Sequence, residues 1–375
     1  MSLFLRYFWL ALLVTAIGLL GSFWPGYSHE QSIQTGFRIF FITSILSVLE
    51  ISLSFDNAIV NAKILKDMSP AWQRRFLTWG ILIAVFGMRI VFPVAIVAIA
   101  ASIGPVEAIR LAAGEPERYA QIMQDAHIGV AAFGGTFLLM VALSYFFDAE
   151  KDVHWLGPIE QMVAEKGTIV QGIEIGLVLA LLVAFHYCLP QEDALTFLLA
   201  GVFGLLSFLA VHTFAEIMES RQQVMSAAAQ GGFATFMYLE VLDASFSFDG
   251  VIGAFALSNN LFVIAIGLGI GAMYVRSMTI MLVELGTLAS YRYLENGAFW
   301  AVLFLAVVMY FQTIFHIPEV VTGGFGVVLI GLSLWSSVRW NRVNRDIFHD
   351  GPQVIEEADG KRITVSDRTV LLPHD

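Results

Sequence analysis

Cysteine and charge are both scarce in this chain. Cys188 is its single cysteine, so no internal disulfide framework exists and no cluster of thiolates is available to a metal. Charged residues are only 14% of 375. Neither H-E-x-x-H nor G-x-S-x-G occurs, which removes the usual intramembrane metalloprotease and serine-protease readings. The net charge of -11 argues against a nucleic-acid partner.

Apolar residues fill the space that charge leaves. They make up 58% of the chain, with a mean hydropathy of +0.76, and they run on for longer than a soluble core could absorb. The expectation is an all-α, polytopic transmembrane helix bundle of about ten spans. Runs long enough to cross roughly 30 Å of hydrocarbon lie near 7–24, 37–60, 77–101, 127–147, 169–189, 193–215, 232–257, 261–283, 298–315 and 320–338. The first reads as an uncleaved span, because no small-x-small site precedes Trp24 and Pro25. With a cytoplasmic N-terminus, twelve Lys and Arg near the span ends fall inside and three outside, which supports that orientation in a bacterial-type inner membrane. Residues 1–340 would form the membrane domain, and 341–375 a flexible cytoplasmic tail.

The chain also repeats itself. SFDNAIVNAKIL at 54–65 aligns with SFDGVIGAFALS at 247–258, an offset of 193. In each copy a carboxylate precedes the Asp by six residues, Glu50 before Asp56 and Asp243 before Asp249. In the following span of each copy an Arg stands nine residues after a Gly, giving Arg89 and Arg276. The copies begin in spans two and seven and so run through the membrane in opposite directions. Spans two to four (about 37–147) and seven to nine (about 232–315) read as an inverted repeat of the kind that places a transport site near the midplane.

An ionised acid at the centre of a spanning helix costs about 2.5–3.5 kcal/mol, so these carboxylates should face protein rather than lipid. On one unbroken helix a spacing of six leaves two acids roughly 120° and about 9 Å apart, too far to chelate one ion. Unwinding at 52–57, and at Gly250 and Gly253 in the second copy, would add backbone carbonyls to the donor set. With Asn57, Ser54 and Ser247 these are hard oxygen ligands, suited to Mn²⁺, Mg²⁺ or Ca²⁺. The alternative is a structural ion-pair network of the same acids with Arg89 and Arg276.

Other features have plainer readings. Glu174 and His186 fit helix-to-helix hydrogen bonding, and residues 103–125 fit a solvated loop. Asp148, Asp152 and His154 have ligand-like spacings in an inner loop.

The motif from Glu50 through Ser54, Asp56 and Asn57 resembles the E-x-x-L-S-x-D-N pattern of the TerC family of integral membrane proteins, named for tellurium resistance and grouped with the LysE-like exporters. Glu240, Asp243, Phe246, Ser247 and Asp249 resemble its second motif. Gly250 and Ile252 depart from it, standing where the family usually has Ser and Pro. The resemblance implies efflux of a divalent metal cation, chiefly manganese, as transported substrate and without a prosthetic group. Glu50, Asp56, Asn57, Asp243, Asp249 and Glu240 would be its ligands. Arg89 and Arg276 would pair or gate, Ser54 and Ser247 would support, and proton antiport is the natural driver. A stress-response or assembly subunit with structural acids stays open beside the transporter.

Overall fold

The computed structural model describes residues 3–30, 33–66, 68–148, 151–169, 172–222, 232–258, 260–315, 317–343, 354–356 and 362–364. Every predicted span is largely helical over its described residues. In chain order the helices are α1 (Leu3–Glu30), α2 (Ile33–Leu53), α3 (Phe55–Lys66), α4 (Pro70–Leu82), a π-helical stretch Ile83–Val91, α5 (Phe92–Ala100), α6 (Pro105–Gly114), α7 (Pro116–Asp125) and α8 (His127–Phe146). There follow α9 (Gly157–Ile169), α10 (Ile173–Cys188), α11 (Gln191–Gln222), α12 (Phe233–Leu257), α13 (Leu261–Glu284), α14 (Thr287–Ser290), α15 (Leu294–Gln312) and α16 (Glu319–Val343). Seven segments among the described residues are long and apolar enough to cross a membrane. α10 is shorter, and α12 carries three acids, Glu240, Asp243 and Asp249. Of the expected tail at 341–375, the first three residues continue α16, and the rest lies outside the described residues except for a backbone hairpin of β1 (Val354–Glu356) on β2 (Arg362–Thr364).

Two helices are enclosed on most sides, as their all-round apolar sequences require. α8 sits among α10, α11, α12 and α15, while α13 is surrounded by α1, α2, α3 and the π-helical stretch. α13 starts cleanly because Asn260 caps it, its side chain accepting from the N–H groups of Phe262 (2.9 Å) and Val263 (3.3 Å). α2 lies unusually close to α13 at Gly271, where a Cβ would fall 2.4 Å from Cβ and Cγ of Glu50. That missing side chain lets Glu50 lie against the neighbouring backbone.

Three expectations need correction. The second span does break, but only at Ser54: the Ser54 N–H still donates to Glu50 O (3.0 Å) and Ala58 N–H to Ser54 O (3.2 Å). The bonds on either side hold, so the interruption between α2 and α3 is a single residue long and not the whole of 52–57. In the second copy α12 continues unbroken through Gly250 and Gly253, because helical hydrogen bonding tolerates isolated glycines. Residues 105–125, expected as a loop, are instead α6 and α7. Pro105 and Pro116 each start a helix, and Ala108, Ala112, Tyr119, Ala120 and Met123 are buried beside Phe255 and α5 residues such as Val97.

The π-helical stretch has an identifiable cause. Pro93 lacks an N–H, and its ring would press on the carbonyl four residues earlier in a regular helix. The chain widens just before it, and the Phe92 N–H donates five residues back, to Gly87 O.

Candidate functional site

The acids of both copies meet at two small cavities inside the apolar bundle. The first, about 20 Å³, is lined by Glu50, Ser54, Asp56, Phe246 and Gly250. The second, about 30 Å³, is lined by Asn57, Asn61, Glu240, Asp243, Arg89 and Arg276. Each has room for one or two water-sized spheres. Ser54 lines both, so they adjoin at the break between α2 and α3.

Glu50 and Arg89 form the partition. Both are buried, and the Arg89 guanidinium donates to Glu50 Oε1. Another Arg89 nitrogen donates to Ala84 O at 2.8 Å, within the π-helical stretch, while its Nε has no partner. The widened helix therefore supplies both the arginine and one of its anchors. Ser54 Oγ donates to Glu50 Oε1 at 3.4 Å. The second carboxylate oxygen, Oε2, points at α12, 3.0 Å from where a Cβ on Gly250 would stand. Glycine at 250, one of the departures from the TerC pattern, is what leaves that oxygen its room.

Asp56 lies in the first turn of α3, where unpaired backbone N–H groups favour negative charge. The Asn57 N–H donates to its Oδ1 at 2.9 Å. Asn57 also joins the copies directly, its Nδ2 donating to Asp243 Oδ1 at 2.6 Å. Arg276, buried on α13, lies over the Phe76 ring at 4.7 Å and beside Glu240. Gly80 makes room for both: a Cβ there would fall 2.8 Å from Glu240 Oε1 and 3.1 Å from an Arg276 nitrogen.

The expected ligands are thus divided. Glu50, Ser54 and Asp56 share the first cavity, and Asn57, Asp243 and Glu240 share the second with both arginines. Ser247 is buried with its hydroxyl unpartnered and lines neither cavity. The Asp249 side chain lies outside the described residues. Among the described residues no three His, Cys, Asp or Glu side chains gather as a metal-binding group. In this conformer Glu50 is committed to arginine.

Polar side chains away from the two cavities have modest partners. His186 Nδ1 lies 3.0 Å from Ala194 O, a contact between α10 and α11. Glu284, at the end of α13, accepts from the Tyr7 hydroxyl (2.9 Å) and Arg6 (3.3 Å) of α1. His154 lies 3.8 Å from a carboxylate that the sequence reading had not singled out, Glu160.

Glu160 is the best-satisfied acid of the molecule's described part. It is 1% exposed and accepts from Lys151 Nζ (2.6 Å), Asn296 Nδ2 (2.9 Å), Trp300 Nε1 (2.8 Å), and the N–H groups of Leu156 (3.1 Å) and Trp155 (3.3 Å). Burial pushes its pKa up, but the donors of Lys151, Trp300 and Leu156 outweigh burial and hold the carboxyl below its usual range. It fastens the 151–156 segment and α9 to the start of α15. Lys63, at the far end of α3, pairs with Glu295 and lies 4.3 Å from the Tyr145 ring centre, and Tyr145 stacks on Phe299 at 3.8 Å. Asn61 was missed too, although its i, i+4 spacing from Asn57 in NAIVN was the available signal.

Residues 55–344 match the profile of a family described as a protein of unknown function, DUF475, which takes in well over half the chain. No curated protein and no solved structure matches.

Proposed function

We propose that this chain, which belongs to the DUF475 family, is a membrane transporter that exports a divalent metal cation, with manganese favoured. The carrying observation is the convergence of buried acids from two sequence copies on adjoining cavities in an apolar bundle. An ionised group there is costly unless it has work or a partner. Packing is consistent with the inverted repeat. Span two lies on span eight (α2 on α13), span seven on span three (α12 on the π-helical stretch), and span four on span nine (α8 on α15). Exchanging the copies returns the same pairs.

In this reading the cation binds through Glu50 and Asp56, with Ser54 and Asp249 completing its shell, once Arg89 releases Glu50. Arg89 then stands in for the cation in the unloaded state. The inverted halves rock around the site, and the termini are cytoplasmic, in keeping with the distribution of positive charge.

The test is Mn²⁺, Mg²⁺ and Ca²⁺ flux into liposomes holding the purified protein. Wild type should move at least one of them, and Asp56→Asn should lower that flux by on the order of 100-fold while remaining monodisperse. Unchanged flux in the variant would remove Asp56 from the site. A flux indifferent to a pH gradient would remove proton antiport.

One observation favours a second reading. The buried Glu50–Arg89 pair is also what a structural network in an assembly or stress-response subunit would contain. Breaking a buried pair costs about 3–5 kcal/mol, so that reading expects Glu50→Gln to fail in folding and not only in flux.

A further inference from the structure

The second cavity has a feature that the divalent-cation reading does not use. Three oxygen acceptors on its lining residues have no hydrogen-bond partner: Asn57 Oδ1, Asn61 Oδ1 and Glu240 Oε1. Their residues are 4%, 3% and 6% exposed, so bulk water does not satisfy them. A buried polar atom without a partner is costly, so such atoms call for a ligand. Asn57 cannot simply turn over, because its Nδ2 is engaged with Asp243 Oδ1. Asn61, one helical turn along α3, lines the same cavity. Thr279 adds a hydroxyl that donates to Val275 O (3.0 Å) and so keeps its lone pairs for a ligand.

Charge selects what would fit. Glu240 and Asp243 bring at most two negative charges and Arg276 one positive, while Arg89 is matched by Glu50. At most one negative charge is left over. A divalent ion would leave the cavity with excess positive charge, which a buried site tolerates poorly. A single monovalent cation balances it. The donors are two amide oxygens, two carboxylates and a hydroxyl, all hard oxygens, and a volume of about 30 Å³ admits a small ion.

We propose that the second cavity is a binding site for an alkali cation of sodium size, with Asn57, Asn61, Glu240 and Asp243 as ligands and Thr279 in support. The proposal extends the transporter reading by supplying a coupling ion beside the divalent site. Binding itself does not depend on that reading.

The test is equilibrium binding of radioactive sodium to purified protein without divalent metal, alongside thermal unfolding in sodium against choline chloride. Wild type should bind sodium saturably at millimolar levels and gain thermal stability from it. Asn61→Ala should weaken binding at least about tenfold. Thr279→Val, a near-isosteric change, should weaken it less and guards against poor folding of the first variant. Absence of sodium, lithium and potassium binding to wild type would overturn the site, as would wild-type affinity in Asn61→Ala. Mn²⁺ stabilisation that requires Asn61, without a sodium effect, would overturn it in favour of a divalent ion there. Sodium binding in a protein that moves no divalent metal would leave this site standing and remove the transporter reading.

Discussion

Glu160 and Glu240 are enclosed to a similar degree, 1% and 6% exposed, yet they are treated in opposite ways. Five donors converge on Glu160. Glu240 has a carboxylate oxygen with none and lies at a cavity wall beside an arginine. The first acid is spent on holding helices together. The second is kept in reserve, at a cost that packing elsewhere must offset.

That contrast breaks most sharply at Glu160. Glu160→Gln leaves Lys151 buried without its counter-charge, and should cost about 3–5 kcal/mol, read as a large fall in thermal midpoint. Gly80→Ala should have the next largest effect, about 1–3 kcal/mol, since its methyl group meets Glu240 Oε1 and Arg276. Cation binding at the second cavity should fall with it, and a variant with wild-type stability and binding would show that Gly80 makes no such room.

Acid titration sharpens the comparison without changing contacts. The Glu160 carboxyl is held below its ordinary value, so its contribution to stability is complete above the ordinary Glu range, near 4.3, and is lost as pH falls through the folded value. Wild type should therefore lose thermal stability across that acid window, and Glu160→Gln should lose less. Equal losses would mean that other acids govern the transition. The smallest change is expected at Glu240→Gln, within about 1 kcal/mol of wild type or above it, because the substitution removes a poorly satisfied buried charge. A loss as large as that of Glu160→Gln would erase the distinction between the two acids.

The helical bundle and the acids at its centre could be read from the sequence, because hydropathy marks spans and a carboxylate inside a span is conspicuous. Local geometry was harder to read. The π-helical stretch depends on Pro93 and on where Arg89 finds Glu50, a contact 39 positions away. α6 and α7 were obscured by Glu107, Glu115, Glu117 and Asp125, although the prolines and the apolar spacing beneath those charges specify helices. Glu160 had no motif to announce it. Two of its donors come from Asn296 and Trp300, and only tertiary structure brings them near.

The shortness of α3 has a mechanical consequence. Asp56 and Asn57 stand at one end and Lys63 near the other, separated by roughly 10 Å of helix at 1.5 Å per residue. One end is tied to Asp243 of the second copy, the other to Glu295 on α15. A helix this short does not bend appreciably, so it behaves as a strut. Any displacement at the acids must be delivered to the Lys63 anchorage, and any slackening of that anchorage must be felt at the acids.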